Sequence, residues 1–328
     1  MSQLKYAVET VGLQKTYVTA KKLPGVMGGI KSLFSTEKTL IPAVKGIDLQ
    51  ITPGEFVGFL GPNGAGKTTT LKMLSGILHP TGGTATVLGF EPWRRNQEML
   101  KQISLVMGNK MQLWWDLPAR DGFRVLKELY EVPDAVYAKR ADRLIDILDL
   151  KDKVDVAVRK LSLGERMKCE LVAALIHQPK VVFLDEPTIG LDVVSQKRIR
   201  DFLRDLNQTE GTTILLTSHY MQDVQELCDR VVVIDHGEKV FEGTLDLMAA
   251  QFADSRRVRL TLSQPVENLE THGKVVLNEY PVVVFEVLRQ DTARRTAELL
   301  QALPVVDVAI EEVEMDEILR DLFTRTAA

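Results

Sequence analysis

The sequence has few cysteines and no long apolar run. Its two cysteines, Cys169 and Cys228, are too few for a disulfide framework and lack the spacing of metal ligands. Its longest apolar runs, such as residues 171–176 and 282–285, fall far short of the roughly 18 residues that a membrane-spanning helix needs. The first residues lack the apolar core of a secretory signal. We therefore expect a protein of the reducing cytoplasm that does not cross a bilayer by itself.

Charge and composition exclude further classes of protein. The 328 residues carry a formal net charge of -4, which argues against a dedicated nucleic-acid-binding protein. A hydrophobic content of 45% and a charged content of 26% are ordinary for a soluble globular protein. The chain is too long for one compact core, so we expect a large domain and a smaller one.

A glycine-rich loop at residues 61–69, GPNGAGKTT, follows a strand-like run and precedes a helix-like run. We call it the phosphate loop, because its small residues let backbone N–H groups surround phosphate oxygens while the next helix presents its positive end. A chance glycine turn before a helix is the alternative. The pattern predicts a nucleotide phosphate site with contacts from Gly61, Pro62, Asn63, Gly64, Ala65, Gly66, Lys67, Thr68 and Thr69.

Four side chains are suited to chemistry at such a site. Lys67 would neutralise the outer phosphates, and Thr68 would hold a magnesium ion. Residues 181–186, VVFLDE, have the pattern of a buried strand that delivers two acids to the edge of a sheet. Asp185 is placed to bind the magnesium through water, and Glu186 to polarise the attacking water. A carboxylate pair at a solvated strand end is the alternative.

The segment LSLGE, residues 161–165, comes before a helix-like run and forms a second candidate anion site. A Ser-x-Gly turn at a helix start offers a hydroxyl, backbone N–H groups and the positive end of the helix. The alternative is an ordinary helix cap, in which Ser162 and Glu165 form a capping box.

The order of elements predicts an α/β fold. Short β-branched runs at residues 181–186, 212–219 and 230–237 are separated by helical stretches, which is typical of a largely parallel buried sheet. Residues 93–165 have helical spacing and predict a helical subdomain inserted in that core. Alternating strands and two helices after residue 247 predict a small α+β domain.

Taken in order, the phosphate loop, the LSLGE turn and the strand ending in Asp185 and Glu186 resemble the ATP-binding subunit of an ABC transporter. The resemblance covers roughly residues 8–245 and implies a P-loop NTPase core, with residues 246–328 as the small carboxy-terminal domain. It implies that the chain binds ATP and Mg2+ and hydrolyses ATP. We call residues 161–165 the signature turn, as in that family.

The resemblance also implies a dimer with a second copy or a paralogue. Two subunits of this family meet head to tail, and each ATP lies between the phosphate loop of one and the signature turn of the other. Ser162 and Gly164 are then expected to contact the γ-phosphate held by the partner. Asp192 falls in a segment, residues 190–192, that resembles the loop crossing this interface, and we call it the interface loop.

Two more residues match the family by position. His219 resembles the switch histidine that contacts the γ-phosphate, although a lone histidine after a strand is often structural. Tyr17 resembles the aromatic residue that stacks on adenine, although a packed surface tyrosine is the alternative.

The chain departs from the family pattern in two places. The signature is usually Leu-Ser-Gly-Gly-Gln, whereas this chain has Leu163 and Glu165 at the third and fifth positions. The loop that usually carries a glutamine sensing magnesium and γ-phosphate reads Gly-Asn-Lys-Met-Gln. Either Asn109 takes this role, which we favour, or Gln112 takes it in a shifted loop.

Two segments suggest how the chain meets a membrane partner. Trp114 and Trp115 follow the loop where the family docks a helix of separate integral membrane permease subunits, and we expect one of them to face such a partner. Residues 18–41 form a basic insertion. Either part of it is an amphipathic helix that lies near anionic lipid or against the membrane partner, or the insertion is a flexible surface loop. The chain resembles the export branch of the family. This resemblance implies that the protein lies at the cytoplasmic face of the cell membrane.

Three other functions compete with this interpretation. A soluble ATPase of the same superfamily that acts on ribosomes or DNA usually has two cassettes in one chain or a long insertion, and this chain has neither. A small-molecule kinase would not need the signature turn or the switch. A regulatory subunit of a heterodimer is the third alternative, although Lys67, Asp185, Glu186 and His219 are all present.

Overall fold

The computed structural model describes residues 4–20, 38–108, 110–218, 220–252 and 254–326, and the chain forms two compact units, Met1–Glu242 and Gly243–Ala328. The strands are β1 (Val8–Ala20), β2 (Lys38–Ile51), β3 (Phe56–Leu60), β4 (Gly82–Val87), β5 (Ile103–Met107), β6 (Val181–Asp185), β7 (Thr213–Thr217), β8 (Arg230–Asp235), β9 (Glu238–Gly243), β10 (Ser255–Leu262), β11 (Lys274–Glu279), β12 (Val282–Leu288) and β13 (Val305–Glu312). The α-helices are α1 (Lys67–Leu74), α2 (Gln97–Leu100), α3 (Ala119–Leu129), α4 (Asp134–Ile147), α5 (Leu163–Leu175), α6 (Val193–Glu210), α7 (Met221–Leu227), α8 (Leu245–Phe252), α9 (Thr292–Ala302) and α10 (Met315–Thr326).

A six-stranded sheet with the order β5-β6-β7-β3-β8-β9 forms the centre of the first unit. The pairs from β5 to β8 are parallel. Every residue of β3, β6 and β7 is buried, as expected for parallel strands with both faces covered. The prediction of a largely parallel sheet is therefore confirmed. Because parallel strands end at the same edge, the residues after β3, β6 and β7 come together there.

A second, antiparallel sheet of the first unit was not predicted. Its order is β2-β1-β4, and β1 and β2 pair along most of their length. The two ends of the basic insertion belong to this sheet, since Val18 pairs with Leu40 and Thr19 with Thr39. These ends are strands rather than parts of a helix or a loop, because continued pairing satisfies their backbone groups. Residues 21–37 of the insertion lie outside the described residues.

Strand β5 corrects the expected limits of the helical subdomain. It falls inside the stretch 93–165 that the spacing assigned to helices, yet it pairs in parallel with β6 in the central sheet. A five-residue apolar run is too short for its periodicity to distinguish strand from helix. The longer helices of this stretch, α3 and α4, begin only at Ala119.

The second unit consists of an antiparallel sheet and several helices. The strand order of the sheet is β11-β12-β10-β13. Val258 and Leu260 from β10, Phe285 from β12 and Leu299 from α9 are buried together in its core. This agrees with the predicted small α+β fold. Strand β11 was not predicted, because its mostly exposed residues lack a regular apolar alternation.

Candidate functional site

The phosphate loop lies between the end of β3 and the start of α1, and its glycines are required by close backbone contacts. Gly66 has a left-handed conformation with φ of 107°, and a Cβ atom there would lie 2.5 Å from the carbonyl oxygen of Ala43. A Cβ atom at Gly61 would lie 2.3 Å from the carbonyl oxygen of Ile234. Larger residues at these two positions would push the loop out of this conformation.

Lys67 folds back over this loop. Its Nζ donates hydrogen bonds to the carbonyl oxygens of Gly61, at 2.6 Å, and Pro62, at 3.1 Å. Burial lowers the pKa of Lys67, while the carboxylates of Glu186 and Asp185 oppose this shift. Helix α1 begins here without a side-chain cap and without an acidic residue in its first turn. Its first N–H groups are therefore suited to an anion.

Asp185 accepts hydrogen bonds from two hydroxyl groups. Thr68 Oγ1 donates to Asp185 Oδ2 at 2.7 Å, and Thr217 Oγ1 donates to Asp185 Oδ1 at 2.8 Å. The structure thus brings together the two predicted metal ligands, which are 117 residues apart in sequence.

This pair of oxygen donors fits Mg2+. The ion prefers oxygen ligands and is bound by few protein groups, with phosphates and water completing its shell. Within the described residues there is no group of three or more His, Cys, Asp or Glu that could hold a metal by itself. The two oxygen ligands of Thr68 and Asp185, beside the phosphate loop, suit a magnesium ion that enters with a nucleotide.

Glu186 is held in an unusual backbone conformation at the end of β6. Its φ is 56°, in the left-handed region, and its N–H group lies within hydrogen-bond distance of Thr217 O (3.0 Å) and Oγ1 (3.1 Å). A Cβ atom at Gly108 would lie 2.5 Å from the carbonyl oxygen of Glu186, so the loop after β5 also closes on this residue. Such a conformation persists only where its surroundings determine it.

Thr217 was missed by the sequence analysis. It ends β7 directly opposite Asp185 in the parallel pairing and is fully buried. The available signal was a hydroxyl residue at the end of a buried strand next to the acidic one.

We expect Thr217→Val to lower both stability and hydrolysis. Valine keeps the shape but leaves Asp185 Oδ1 without its hydroxyl donor, which costs about 1–3 kcal/mol of unfolding free energy. It also frees the carboxylate from its fixed orientation, so ATP hydrolysis should fall. Thermal denaturation and a phosphate-release assay measure the two effects. Thr213→Val is the control, since Thr213 lies at the other end of the same strand, where its hydroxyl accepts a hydrogen bond from Gly54 N at 2.9 Å. Hydrolysis by Thr217→Val at the normal rate would contradict the assignment.

Asp223 was also missed, and it connects three parts of the site. Its fully buried carboxylate accepts hydrogen bonds from Thr188 Oγ1, in the loop after Glu186, and from Ser218 Oγ, after β7, the latter at 2.7 Å. Arg200 of α6 donates to its other oxygen at 3.0 Å. A buried ion pair with additional hydrogen bonds holds these segments in one arrangement.

The signature turn starts α5 with a complete capping box. Ser162 Oγ accepts from Glu165 N at 3.2 Å, and Glu165 Oε2 accepts from Ser162 N at 2.8 Å. The ordinary helix cap, which was the alternative interpretation of this segment, is therefore present in the structure. A hydroxyl has one hydrogen and two lone pairs, so this cap does not exhaust the bonding capacity of Ser162.

The signature turn contacts the interface loop. A Cβ atom at Gly164 would lie 2.8 Å from Ser195 Oγ, and one at Gly190 would lie 3.1 Å from Leu163 Cδ2. Asp192 caps α6 by accepting from Ser195 N at 2.9 Å and from Ser195 Oγ at 2.7 Å. The hydrogen bond from the Ser195 hydroxyl is the largest cause of the lowered pKa of Asp192. The two segments thus form one continuous surface.

The remaining predicted residues have different outcomes. Tyr17 lies beside the phosphate loop, with its hydroxyl 3.4 Å from Thr69 Oγ1. Gln112 turns its side-chain amide toward α5, where Nε2 donates to the Glu170 carbonyl oxygen at 3.4 Å. Asn109 and His219 lie outside the described residues.

Both adjacent tryptophans are exposed. Trp114 is 47% and Trp115 is 49% exposed, whereas one of them was expected to point outward. Leu113 instead anchors this segment, since it is buried. The guanidinium of Arg166 lies 4.7 Å from the centroid of the Trp115 ring.

Comparisons with known proteins agree with this geometry. Residues 44–189 match the family described as ABC transporter, and residues 254–311 match the one described as EvrA-like ABC transporter, C-terminal domain. The ABC transporter ATP-binding protein NatA of Bacillus subtilis (strain 168) is 36% identical over 213 residues, which are 65% of this chain and 86% of NatA. The chain belongs to the ABC transporter ATP-binding proteins. It is an ATP-binding and ATP-hydrolysing subunit that powers an ABC transporter.

Two further relatives of this ABC transporter ATP-binding protein have named roles. The Daunorubicin/doxorubicin resistance ATP-binding protein DrrA of Streptomyces peucetius is 37% identical over 219 residues, 66% of each chain. The Nod factor export ATP-binding protein I of Cupriavidus metallidurans is 37% identical over 243 residues, 71% of this chain and 80% of that protein.

Solved structures support the fold. An ATP-binding subunit of an ABC transporter is similar with a TM-score of 0.63 and 22% identity, covering 75% of this chain and 93% of that one. A dimeric ATP-binding cassette bound to ADP and Pi has a TM-score of 0.60 and 24% identity, covering 72% and 98%. The predicted P-loop NTPase fold is confirmed. None of this protein's helices in the described ranges is long and apolar enough to span a bilayer.

Proposed function

We propose that this ABC transporter ATP-binding protein drives export through ATP-dependent pairing with a second copy or a paralogue. One observation carries the catalytic part: the hydrogen bond between Thr68 and Asp185 brings the phosphate loop to the strand end that bears Glu186. The relatives named for drug resistance and for Nod factor export support the direction of transport.

In this proposal each part of the site has one task. The phosphate loop, residues 61–69, binds the phosphates, and Lys67 neutralises their charge. Thr68 and Asp185 hold Mg2+, which supplies charge neutralisation of the phosphates when bound. Glu186 accepts a proton from the attacking water and orients it toward the γ-phosphorus. The backbone bonds from Glu186 to Thr217 keep this carboxylate in place.

The proposal assigns the nucleotide contacts that complete the site to further residues. Tyr17 packs against the adenine, which its position beside Thr69 supports. His219 contacts the γ-phosphate, and Asn109 takes the place of the loop glutamine. The engagement of Gln112 with α5 supports Asn109 over Gln112.

The partner subunit provides the opposite side of each site. Ser162 and Gly164 of one copy face the γ-phosphate bound by the other, with Asp192 at the interface. The exposed Ser162, at the start of α5, offers a hydroxyl and the positive end of a helix of 13 residues to that anion. The contact between the signature turn and the interface loop supports their acting as one surface.

Separate membrane permease subunits dock at the tryptophan segment, residues 112–117, at the cytoplasmic face of the membrane. Two adjacent half-exposed tryptophans on an anchored segment are typical of a docking surface. The ATPase domain extends over residues 8–245, and the small domain, residues 246–328, is a separate module.

Mixing two inactive variants tests whether the site is shared between chains. Lys67→Met removes the phosphate-binding ammonium. Ser162→Asp keeps a good helix cap but places a negative charge toward the γ-phosphate. Each variant alone should be inactive, whereas a mixed dimer has one intact site, so an equal mixture should recover up to about a quarter of normal ATP hydrolysis.

Ser162→Asn is the matched control, because it caps the helix without adding charge. It should retain more activity than Ser162→Asp. A mixture that stays inactive, although both variants are folded by thermal denaturation and mixed dimers form with Mg-ATP, would overturn the shared site.

A further inference from the structure

The buried carboxylate of Glu170 lies two turns into α5 and binds the tryptophan segment. Glu170 is 3% exposed, and its carboxylate accepts hydrogen bonds from Gln112 N at 3.1 Å and from Leu113 N at 3.0 Å. A carboxylate is costly to bury unless its oxygens are hydrogen-bonded, so these backbone N–H groups and Glu170 stabilise one another. The contact spans 58 residues of sequence and connects α5 to a segment outside it.

A second contact connects the same helix to an exposed ring. The Arg166 side chain, one turn before Glu170, stacks over Trp115 at 4.7 Å. Arg166 Nε also donates to the carbonyl oxygen of Leu161, the first residue of the signature turn, at 2.8 Å. One side chain therefore contacts both the turn and the tryptophan segment.

The chain just before the signature turn holds the other end of the tryptophan segment. Arg159 N donates to the Trp115 carbonyl oxygen at 2.9 Å, and Val158 N donates to the Leu117 carbonyl oxygen at 3.0 Å. Leu113 fits closely against α3, since a Cβ atom at Gly122 would lie 2.6 Å from Leu113 Cδ2. The segment is thus attached along its length, while both of its tryptophan rings stay exposed.

We infer that Glu170 is a positioning residue that makes the tryptophan segment move with α5, so that a displacement of Ser162 reaches Trp114 and Trp115. Ser162 and Glu170 are separated by about 12 Å along a continuous helix, which moves as a rigid rod over that length. Binding of the partner's ATP by the signature turn would then change the surface that the membrane subunits contact. This inference rests on the proposed function, because binding of the partner's ATP is what would displace Ser162.

The first test needs no nucleotide. In full-length protein with Trp93→Phe, fluorescence reports only Trp114 and Trp115, because the chain has three tryptophans. Glu170→Ala should shift their emission to the red and increase acrylamide quenching, since the segment loses its attachment. Glu170→Gln keeps an oxygen acceptor and should behave as the parent does. Unchanged emission and quenching in Glu170→Ala would overturn the positioning role.

The second test adds Mg-ATP to the Trp93→Phe protein that also carries Glu186→Gln. We expect an ATP-dependent change in tryptophan emission in this parent, and its loss in Glu170→Ala while the dimer still forms by size-exclusion chromatography. If Glu170→Ala does not fold, Glu170→Leu removes the acceptor without leaving a cavity and is expected to give the same loss.

The outcomes separate this inference from the proposed function. A parent that stays monomeric with Mg-ATP contradicts the proposed dimer, while the first test still decides the role of Glu170. A parent that dimerises without any change in emission, or a Glu170→Ala variant that retains the full change, shows that the tryptophan segment does not follow α5, and the inference is wrong.

Discussion

Glu186→Gln is expected to stop ATP hydrolysis and to hold two copies together while ATP is present. Glutamine has the same shape but cannot accept the proton of the attacking water, and loss of a general base lowers kcat by on the order of 10²–10⁴-fold. ATP binding should survive, because the phosphate loop and the Thr68–Asp185 pair are unchanged. The trapped ATP then keeps both halves of the shared site occupied.

Phosphate release and size-exclusion chromatography with Mg-ATP measure these two effects. The control is Glu128→Gln, at an exposed position of α3, which should hydrolyse ATP normally and should not accumulate as a dimer. If Glu186→Gln hydrolyses ATP at the normal rate, another group activates the water. If it neither hydrolyses nor dimerises with ATP, a heterodimer or a regulatory role becomes the better hypothesis.

Lys67→Met is expected to weaken ATP binding strongly without unfolding the protein. The ammonium now bonds to two loop carbonyl oxygens, and a charged hydrogen bond to phosphate contributes about 1.5–3 kcal/mol, or roughly 10- to 100-fold in affinity. Burial already disfavours the charged form of Lys67, as its lowered pKa indicates, so an apolar side chain of similar length is tolerated in the folded state.

Thermal denaturation with and without Mg-ATP separates the two effects. The unfolding temperature without nucleotide should stay close to that of the parent, and the increase caused by ATP should disappear. Lys72→Met, in the last turn of the same helix, should keep that increase. An undiminished ATP-dependent increase in Lys67→Met would contradict the role of the lysine.

Features that depend on near neighbours in sequence were predictable. The glycines of the phosphate loop, the cap at Ser162 and the acids at the end of β6 form from groups within a few residues of one another. Short sequence patterns are enough to indicate these features, and the structure contains all three. Strand β5 shows the limit of this approach, because a short apolar run fits a helix as well as a strand.

The contacts that hold the site were visible only in the tertiary structure. Thr217 and Asp185 are 32 residues apart, Asp223 and Thr188 are 35 apart, and Glu170 and Gln112 are 58 apart. Each pair depends either on the order and register of the strands or on how a helix packs. A local sequence pattern encodes neither strand register nor helix packing.

The sequence by itself therefore determined the chemistry of this protein: a phosphate-binding loop, two acids and a second anion-binding turn on an α/β chain. Only the tertiary structure decided how these groups are supported. Thr217 orients Asp185, Asp223 joins two loops to α6, and Glu170 attaches the tryptophan segment to α5. The physical reason is that hydrogen-bonding groups and helix caps act over a few residues, whereas burial and strand pairing join residues that are far apart in the chain.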